Sequence, residues 1–299
     1  MYAISKNTTE SAPALQDLLG SKNYPAIIQA SALEQYTQFY NPTIIELVKN
    51  YLQSTDPNLR LNALHAAANL PENVLLPLIV PLLDDPVISV RTEAMNTIAP
   101  LYLQLDENKK QRFDAVMNEY LAIQRNLGDR PESYLNSGIA LAATGRTNEA
   151  EQTYLLGLKR FPKFIAYYGN LADLYRAEKN EPLSKQYLDR GLSLQPTNSE
   201  LHYAIALWHI RNQDRNAGLN ELKKASELDP GNASFTYGYA LALHSTHDVQ
   251  KAISTLENFI AKHGNDPLII SGLISICADA KQMDKVNSYT KLRKDVFGY

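Results

Sequence analysis

Apolar residues recur along the chain at the three-and-four spacing of amphipathic helices, and alternating β-branched runs with Asn-Gly or Asp-Gly turns are missing. In the C-terminal half the pattern repeats with a step of 34: Pro162, Pro196 and Pro230; Gly138, Ala172, Ala206 and Ala240; Ala150, Ser184, Gly218 and Ala252; Gly157, Gly191 and Ala225. Larger residues keep the same step, as Tyr154, Leu188, Leu222 and Leu256, and as Leu141, Tyr175, His209 and Leu243. These columns predict pairs of packed helices. A small residue in each helix lets its partner approach, the large residues fill the space between, and proline ends the second helix. Asn180, Asp214 and Asp248 share the step and fall between paired helices, where an N-cap is wanted.

The N-terminal third has a different step, 31. It aligns Ile28, Leu59 and Val90; Gln29, Arg60 and Arg91; Ala32, Ala63 and Ala94; and Leu33, Leu64 and Met95. Asp56-Pro57 and Asp85-Pro86 precede the second and third copies. Proline starts a helix, alanine permits close approach, and arginine or aspartate ties the turns of neighbouring copies.

The 34-residue unit resembles the tetratricopeptide repeat, with copies starting near Pro131, Ile165, Ser199 and Ala233 and a degenerate fifth from Pro267 to about Phe297. That fifth copy places Ile274 and Val286 in the small columns. The family's early aromatic is kept as Tyr134 and Tyr168 but becomes His202 and Thr236, and Gly218 should cost its helix about 1 kcal/mol relative to alanine. The 31-residue unit resembles the HEAT repeat. Together the resemblances imply an all-α fold, a right-handed α-solenoid (superhelix) of HEAT-like and then tetratricopeptide hairpins, stabilised by nearest-neighbour contacts. The expected segments are a tail or truncated helix at 1–12, HEAT-like repeats at 13–105, a connecting helix at 106–130 and the tetratricopeptide array at 131–299. The order of IIQASALEQY, DPNLRLNALHAAANLPENVLLPLIVPLLDDPVISVRTEAM, EYLAIQRNLGDRPESYLNSGIALAATG and NLADLYRAEKN is similar to the C-terminal repeat region of bacterial multihaem c-type cytochromes. That similarity implies a fragment without the haem domain. It also implies a periplasmic location, against a cytoplasmic one for a stand-alone adaptor, and a haem domain or envelope redox protein as partner.

Composition narrows the chemistry. The 299 residues carry 29 basic and 32 acidic side chains, a net charge of -3, which gives no general field for nucleic acid. The basic clusters Lys109-Lys110-Arg112, Lys223-Lys224 and Lys291-Arg293-Lys294 read as solvated helix faces. The longest apolar stretch, 74–83, holds Pro77 and Pro81 and is too short to span a bilayer, so no membrane insertion is expected. The opening MYAISKNTTES lacks the apolar core of a signal peptide. One cysteine, Cys277, excludes an internal disulfide or a cysteine-rich metal site. No glycines stand two, four or five apart, so dinucleotide, nucleophile-elbow and P-loop motifs are missing, as is H-E-x-x-H.

No catalytic group, metal site or cofactor is therefore expected. The resemblance implies a concave face lined by the first helix of each repeat. By spacing this face gathers Leu135, Asn136 and Ile139; Gly169, Asn170 and Asp173; Tyr203 and Leu207; and Tyr237 and Leu241, a surface suited to a protein or peptide partner. The family's carboxylate clamp is mostly missing: only Asn170 matches, and Leu135, Glu200 and Ala204 hold the lysine and arginine positions. His209 and Cys277 fall in a core column. His244 and His247 lack a third metal ligand by spacing. Asp173, Arg176 and His202 are the sole loose catalytic cluster. Trp208 lies beside the groove column.

Overall fold

The computed structural model describes residues 11–21, 24–36, 43–68 and 70–297. Residues 1–10 of the expected N-terminal tail lie outside them. The described residues are all-α, in seventeen helices with 3-10 turns at Val80–Asp84 and Ala99–Gln104. Two compact units result, Met1–Arg160 and Phe161–Phe297.

The first unit holds α1 (Ser11–Gly20), α2 (Ala26–Tyr36), α3 (Thr43–Leu52), α4 (Pro57–Ala67), α5 (Glu72–Ile79), α6 (Ile88–Ile98), α7 (Glu107–Asn126), α8 (Pro131–Ala143) and α9 (Thr147–Arg160). The 31-residue step is visible as repeated bonding. The Ser54 hydroxyl accepts from the Asp56 N–H at 3.1 Å, and 31 residues later the Asp85 carboxylate accepts from the Val87 N–H at 2.9 Å. Arg60 donates to the carbonyls of Ser54 and Thr55, and Arg91 donates to those of Asp85 and Pro86. Each arginine then reaches onward. Arg60 binds the buried carboxylate of Asp85 at 2.8 Å, and Arg91 grips Glu119 on α7 with two bonds of 2.8 and 2.6 Å. A planar guanidinium can bond one turn's carbonyls and the next copy's carboxylate together.

In the hairpin of α8 and α9 the small column has a steric partner. A Cβ on Gly138 would lie 2.1 Å from the buried Tyr154 ring, so glycine is required where the filling residue is tyrosine.

The second unit is a run of four hairpins. They are α10 (Ala166–Ala177) with α11 (Glu181–Leu194), α12 (Ser199–Arg211) with α13 (Arg215–Leu228), α14 (Ala233–Ser245) with α15 (Val249–His263), and α16 (Pro267–Asp279) with α17 (Met283–Phe297). Here the small column is Ala172, Ala206 and Ala240, buried against the leucine column of Leu188, Leu222 and Leu256. Each hairpin turns through one left-handed residue, with φ of 61° at Lys179, 64° at Gln213, 66° at His247 and 58° at Lys281. Beyond it the chain folds back: the N–H groups of Asn180, Asp214, Asp248 and Gln282 donate to the carbonyls of Tyr175, His209, Leu243 and Cys277 at 2.8–2.9 Å. This is the six-to-one bond that ends a helix through a left-handed residue. Asn180 and Asp214 then cap the next helix with their side chains. Asp248 occupies the cap of α15 but makes no side-chain bond there, unlike the expectation from its column. A second cap column, Asn198, Asn232 and Asp266, opens α12, α14 and α16 and also has a step of 34.

The change of aromatic to His202 has a direct explanation. Tyr168 donates from its hydroxyl to the Pro162 carbonyl at 2.8 Å, and the His202 Nε2 meets the Pro196 carbonyl at 2.9 Å. The imidazole does the tyrosine's work at the equivalent turn. Its other nitrogen adds a contact of 2.5 Å to Glu221 on α13.

Candidate functional site

The predicted interaction residues are divided between the units. Leu135, Asn136 and Ile139 stand on α8 of the first unit, and Gly169, Asn170, Asp173, Tyr203, Leu207, Tyr237 and Leu241 stand on α10, α12 and α14 of the second. In the first unit Leu135 and Asn136 are half-buried, whereas Ile139 is 45% exposed.

In the second unit the six predicted contacts and Gly169 differ in kind. Tyr203 and Tyr237 are half-buried and lie on neighbouring helices. Tyr203 packs 5.0 Å, centroid to centroid, from Phe235 of α14. A Cβ on Gly238 would come within 3.1 Å of the Tyr203 ring, and one on Gly272 of α16 within 2.7 Å of the Tyr237 ring. Each tyrosine therefore rests on a glycine of the following hairpin. Gly238 and Gly272 stand 34 apart, a column whose packing partners lie in the preceding hairpin and not in their own. In α10 and α12 the equivalent positions are Asn170 and Ala204; one repeat before Ala204 the tyrosine's own position is Gly169, so no ring projects there and alanine fits.

One turn beyond each tyrosine, Leu207 and Leu241 are 38% and 40% exposed. They are not interior packing residues. At i and i+4 they share a helix face with Tyr203 and Tyr237. The face is aromatic, aliphatic and free of charge at these positions. On α10 it becomes polar. Asn170 turns back to the Ala166 carbonyl at 2.9 Å, and exposed Asp173 pairs with Arg176 at 3.2 Å.

The other singled-out side chains have structural roles. His202 is buried against Glu221 and Pro196, away from the Asp173–Arg176 surface pair, so no catalytic cluster forms from the three. Burial pushes Glu221 up, but hydrogen bonds from Lys224 and His202 outweigh it and hold the carboxyl below its usual range. His209, which its spacing places in a core column, is not fully enclosed. It is half-buried and edge-on to Trp208, and its Nδ1 stands 3.6 Å from Asp214, beyond hydrogen-bond reach, because the short aspartate is committed to capping α13. Trp208 donates its indole N–H to the Glu181 carbonyl at 3.0 Å. His244 faces Asp279 at 3.6 Å, whereas His247 sits in the left-handed turn position. Cys277 is fully buried, and burial pushes its thiol up, leaving a small protonated hydrophobe.

The basic clusters are largely neutralised. Lys109 pairs with Asp106, Lys110 with Glu107, Arg112 with Asp84, Lys223 with Glu227 and Lys224 with Glu221. No described helix is long and apolar enough to cross a membrane.

Residues 165–198, which hold α10 and α11, match the family model described as the tetratricopeptide repeat. A curated relative, protein O-mannosyl-transferase TMTC3 of Homo sapiens, is 24% identical over 146 residues. That match takes in 48% of this chain and spans 16% of the relative's length. Among solved structures, YrrB, a TPR protein with an unusual peptide-binding site, is 14% identical over 59% of this chain and 91% of its own, with a TM-score of 0.44. TTC0263, a thermophilic TPR protein of Thermus thermophilus, is 16% identical over 62% of this chain and 99% of its own, with a TM-score of 0.47. The α10–α11 hairpin is thus a tetratricopeptide repeat by sequence; the α12–α13 and α14–α15 hairpins repeat its step, its turn and its packing columns, and the α16–α17 hairpin repeats its step and turn.

Proposed function

We propose that the chain is a non-catalytic scaffold that holds a protein or peptide partner on the α12–α14 face. The observation that carries this reading is the pair of exposed leucines, Leu207 and Leu241, each set one turn beyond a tyrosine braced by a neighbouring glycine. Rigid aromatic and aliphatic positions on a preordered face lower the entropy lost on binding. The lack of charge at these positions favours an apolar segment, such as the stripe of an amphipathic helix, over an acidic tail. Asn170, Asp173 and Arg176 would form its polar edge, and Leu135, Asn136 and Ile139 a separate contact on α8.

The resemblance to multihaem cytochromes nominates a haem domain or an envelope redox protein as that partner, with a periplasmic location. An affinity capture from separated periplasmic and cytoplasmic fractions tests it. Recovery of a haem protein supports the nomination, and recovery of a cytosolic complex sinks it. The face itself is tested with the recovered partner by Leu207→Glu and Leu241→Glu, which alter exposed side chains and should leave stability within about 0.5 kcal/mol. The double variant should lose partner binding at least a hundredfold. Unchanged affinity in a folded double variant removes this face from the reading.

A further inference from the structure

Helices α7, α8 and α9 enclose a cleft of about 370 Å³ within the first unit. That volume lies at the lower end of small-molecule sites, about 300–1,000 Å³. Its origin is legible in the repeat register. Ser133, Ser137, Leu141 and Thr153 line the cleft. Thirty-four residues later the same positions are Tyr167, Leu171, Tyr175 and Tyr187. Those larger side chains fill their own hairpin: the first three are buried, and Tyr187 stacks on Tyr175 with ring centroids 5.4 Å apart. The α8–α9 hairpin keeps the backbone plan and omits the filling, so a space remains.

The lining chemistry restricts what enters. Leu121 and Leu156 supply apolar surface and Tyr134 an aromatic ring. The serine hydroxyls are committed to the backbone, Ser133 donating to the Leu127 carbonyl at 2.7 Å and Ser137 to the Ser133 carbonyl at 2.8 Å. Glu149 is held by Arg146 through bonds of 2.7 and 2.6 Å. Arg125, also in the lining, is exposed and has no ion pair to a described residue. The uncompensated charge at the cleft is therefore positive, beside a largely apolar interior.

We infer that this cleft binds a small monocarboxylate with an aromatic or branched apolar body. The body takes the space that the tyrosines and leucine fill in the following repeat, and the carboxylate pairs with Arg125. A guanidinium left unpaired at the edge of an apolar recess offers the directional contact such an anion needs.

The test is titration of the full chain with 3-phenylpropanoate, its uncharged amide and the peptide Gly-Gly-Phe, read by calorimetry and by perturbation of NMR signals from residues 121–156. The acid should bind at least tenfold tighter than the amide. Arg125→Gln should reduce the acid to the amide's level. Ser137→Leu, which copies Leu171, should abolish binding while the melting temperature holds or rises, and Thr153→Leu provides a second filling variant should the first not fold. Absence of saturable acid binding, equal affinity for acid and amide, or binding that survives a folded filling variant would overturn the site. Tighter binding of Gly-Gly-Phe than of the free acid would overturn the free carboxylate as occupant in favour of a peptide C-terminus.

Discussion

Gly138 and Tyr154 form one packing decision made at two positions. In the next three copies the same pair is alanine with leucine, and the methyl group has room. At Gly138 an added Cβ would meet the buried Tyr154 ring at 2.1 Å, so Gly138→Ala should cost about 1–3 kcal/mol through overpacking. Tyr154→Leu in the same chain should recover about 1 kcal/mol or more of that loss, which a double-mutant cycle in denaturant measures. Gly218 departs from its expectation for the same reason. Its helix would gain about 1 kcal/mol from alanine by propensity. A Cβ there, however, would lie 2.8 Å from Ile210 Cγ1 and 3.2 Å from the Ala206 carbonyl oxygen, so the substitution should bring no gain in unfolding free energy. His202→Ala should cost about 1–3 kcal/mol by leaving the Pro196 carbonyl and a half-buried Glu221 short of a donor. His202→Tyr should recover part of this, because Tyr168 makes the equivalent bond to Pro162.

The hairpin turn is the element that repeats most faithfully. Its left-handed position is Gly145, with φ of 77°, in the first tetratricopeptide-like hairpin, and Lys179, Gln213, His247 and Lys281 afterwards. A side chain in that region costs about 1–2 kcal/mol, and glycine returns part of this in unfolded-state entropy, about 0.5–1 kcal/mol. Gln213→Gly should therefore stabilise the chain by about 0.5–1 kcal/mol, seen as a higher denaturation midpoint with an unchanged slope. The cap site after this turn and the proline that follows α9, α11 and α13 were legible in the sequence because backbone conformation depends on local residue type. The tyrosine–glycine contacts between hairpins were not. They join residues a full repeat apart, and neither partner is unusual in its own helix.

Over the whole molecule, carboxylates held below their usual range occur in both units. Side-chain hydrogen bonds do this for Asp106 through Lys109, Glu119 through Arg91 and Glu149 through Arg146. At Glu221 and Glu257 burial opposes the shift and is outweighed, by Lys224 and His202 in one case and by Lys285 and Tyr289 in the other. A folded value below the unfolded one adds stability above the unfolded carboxylate range, near 4.5 for glutamate. That stability is lost as pH falls through the folded value. Unfolding free energy should accordingly fall between about pH 5 and pH 3, and Glu257→Gln should flatten that slope, measured by denaturant titration at several pH values. The same Glu257 ties α15 to α17 by bonds of 2.7 Å from Lys285 and 2.6 Å from Tyr289.

Helical class, hairpin period, turn sites and most caps can be read from the amino-acid order, since each follows from local preference repeated at a constant step. The role of His202, the bracing of Tyr203 and Tyr237, the exposure of Leu207 and Leu241 and the cleft left by Ser133 and Ser137 emerge only when helices distant in the chain are packed together. Spacing specifies which side of a helix a residue occupies. Which neighbour meets that side, and whether its atoms fill the space, depends on the three-dimensional arrangement of both.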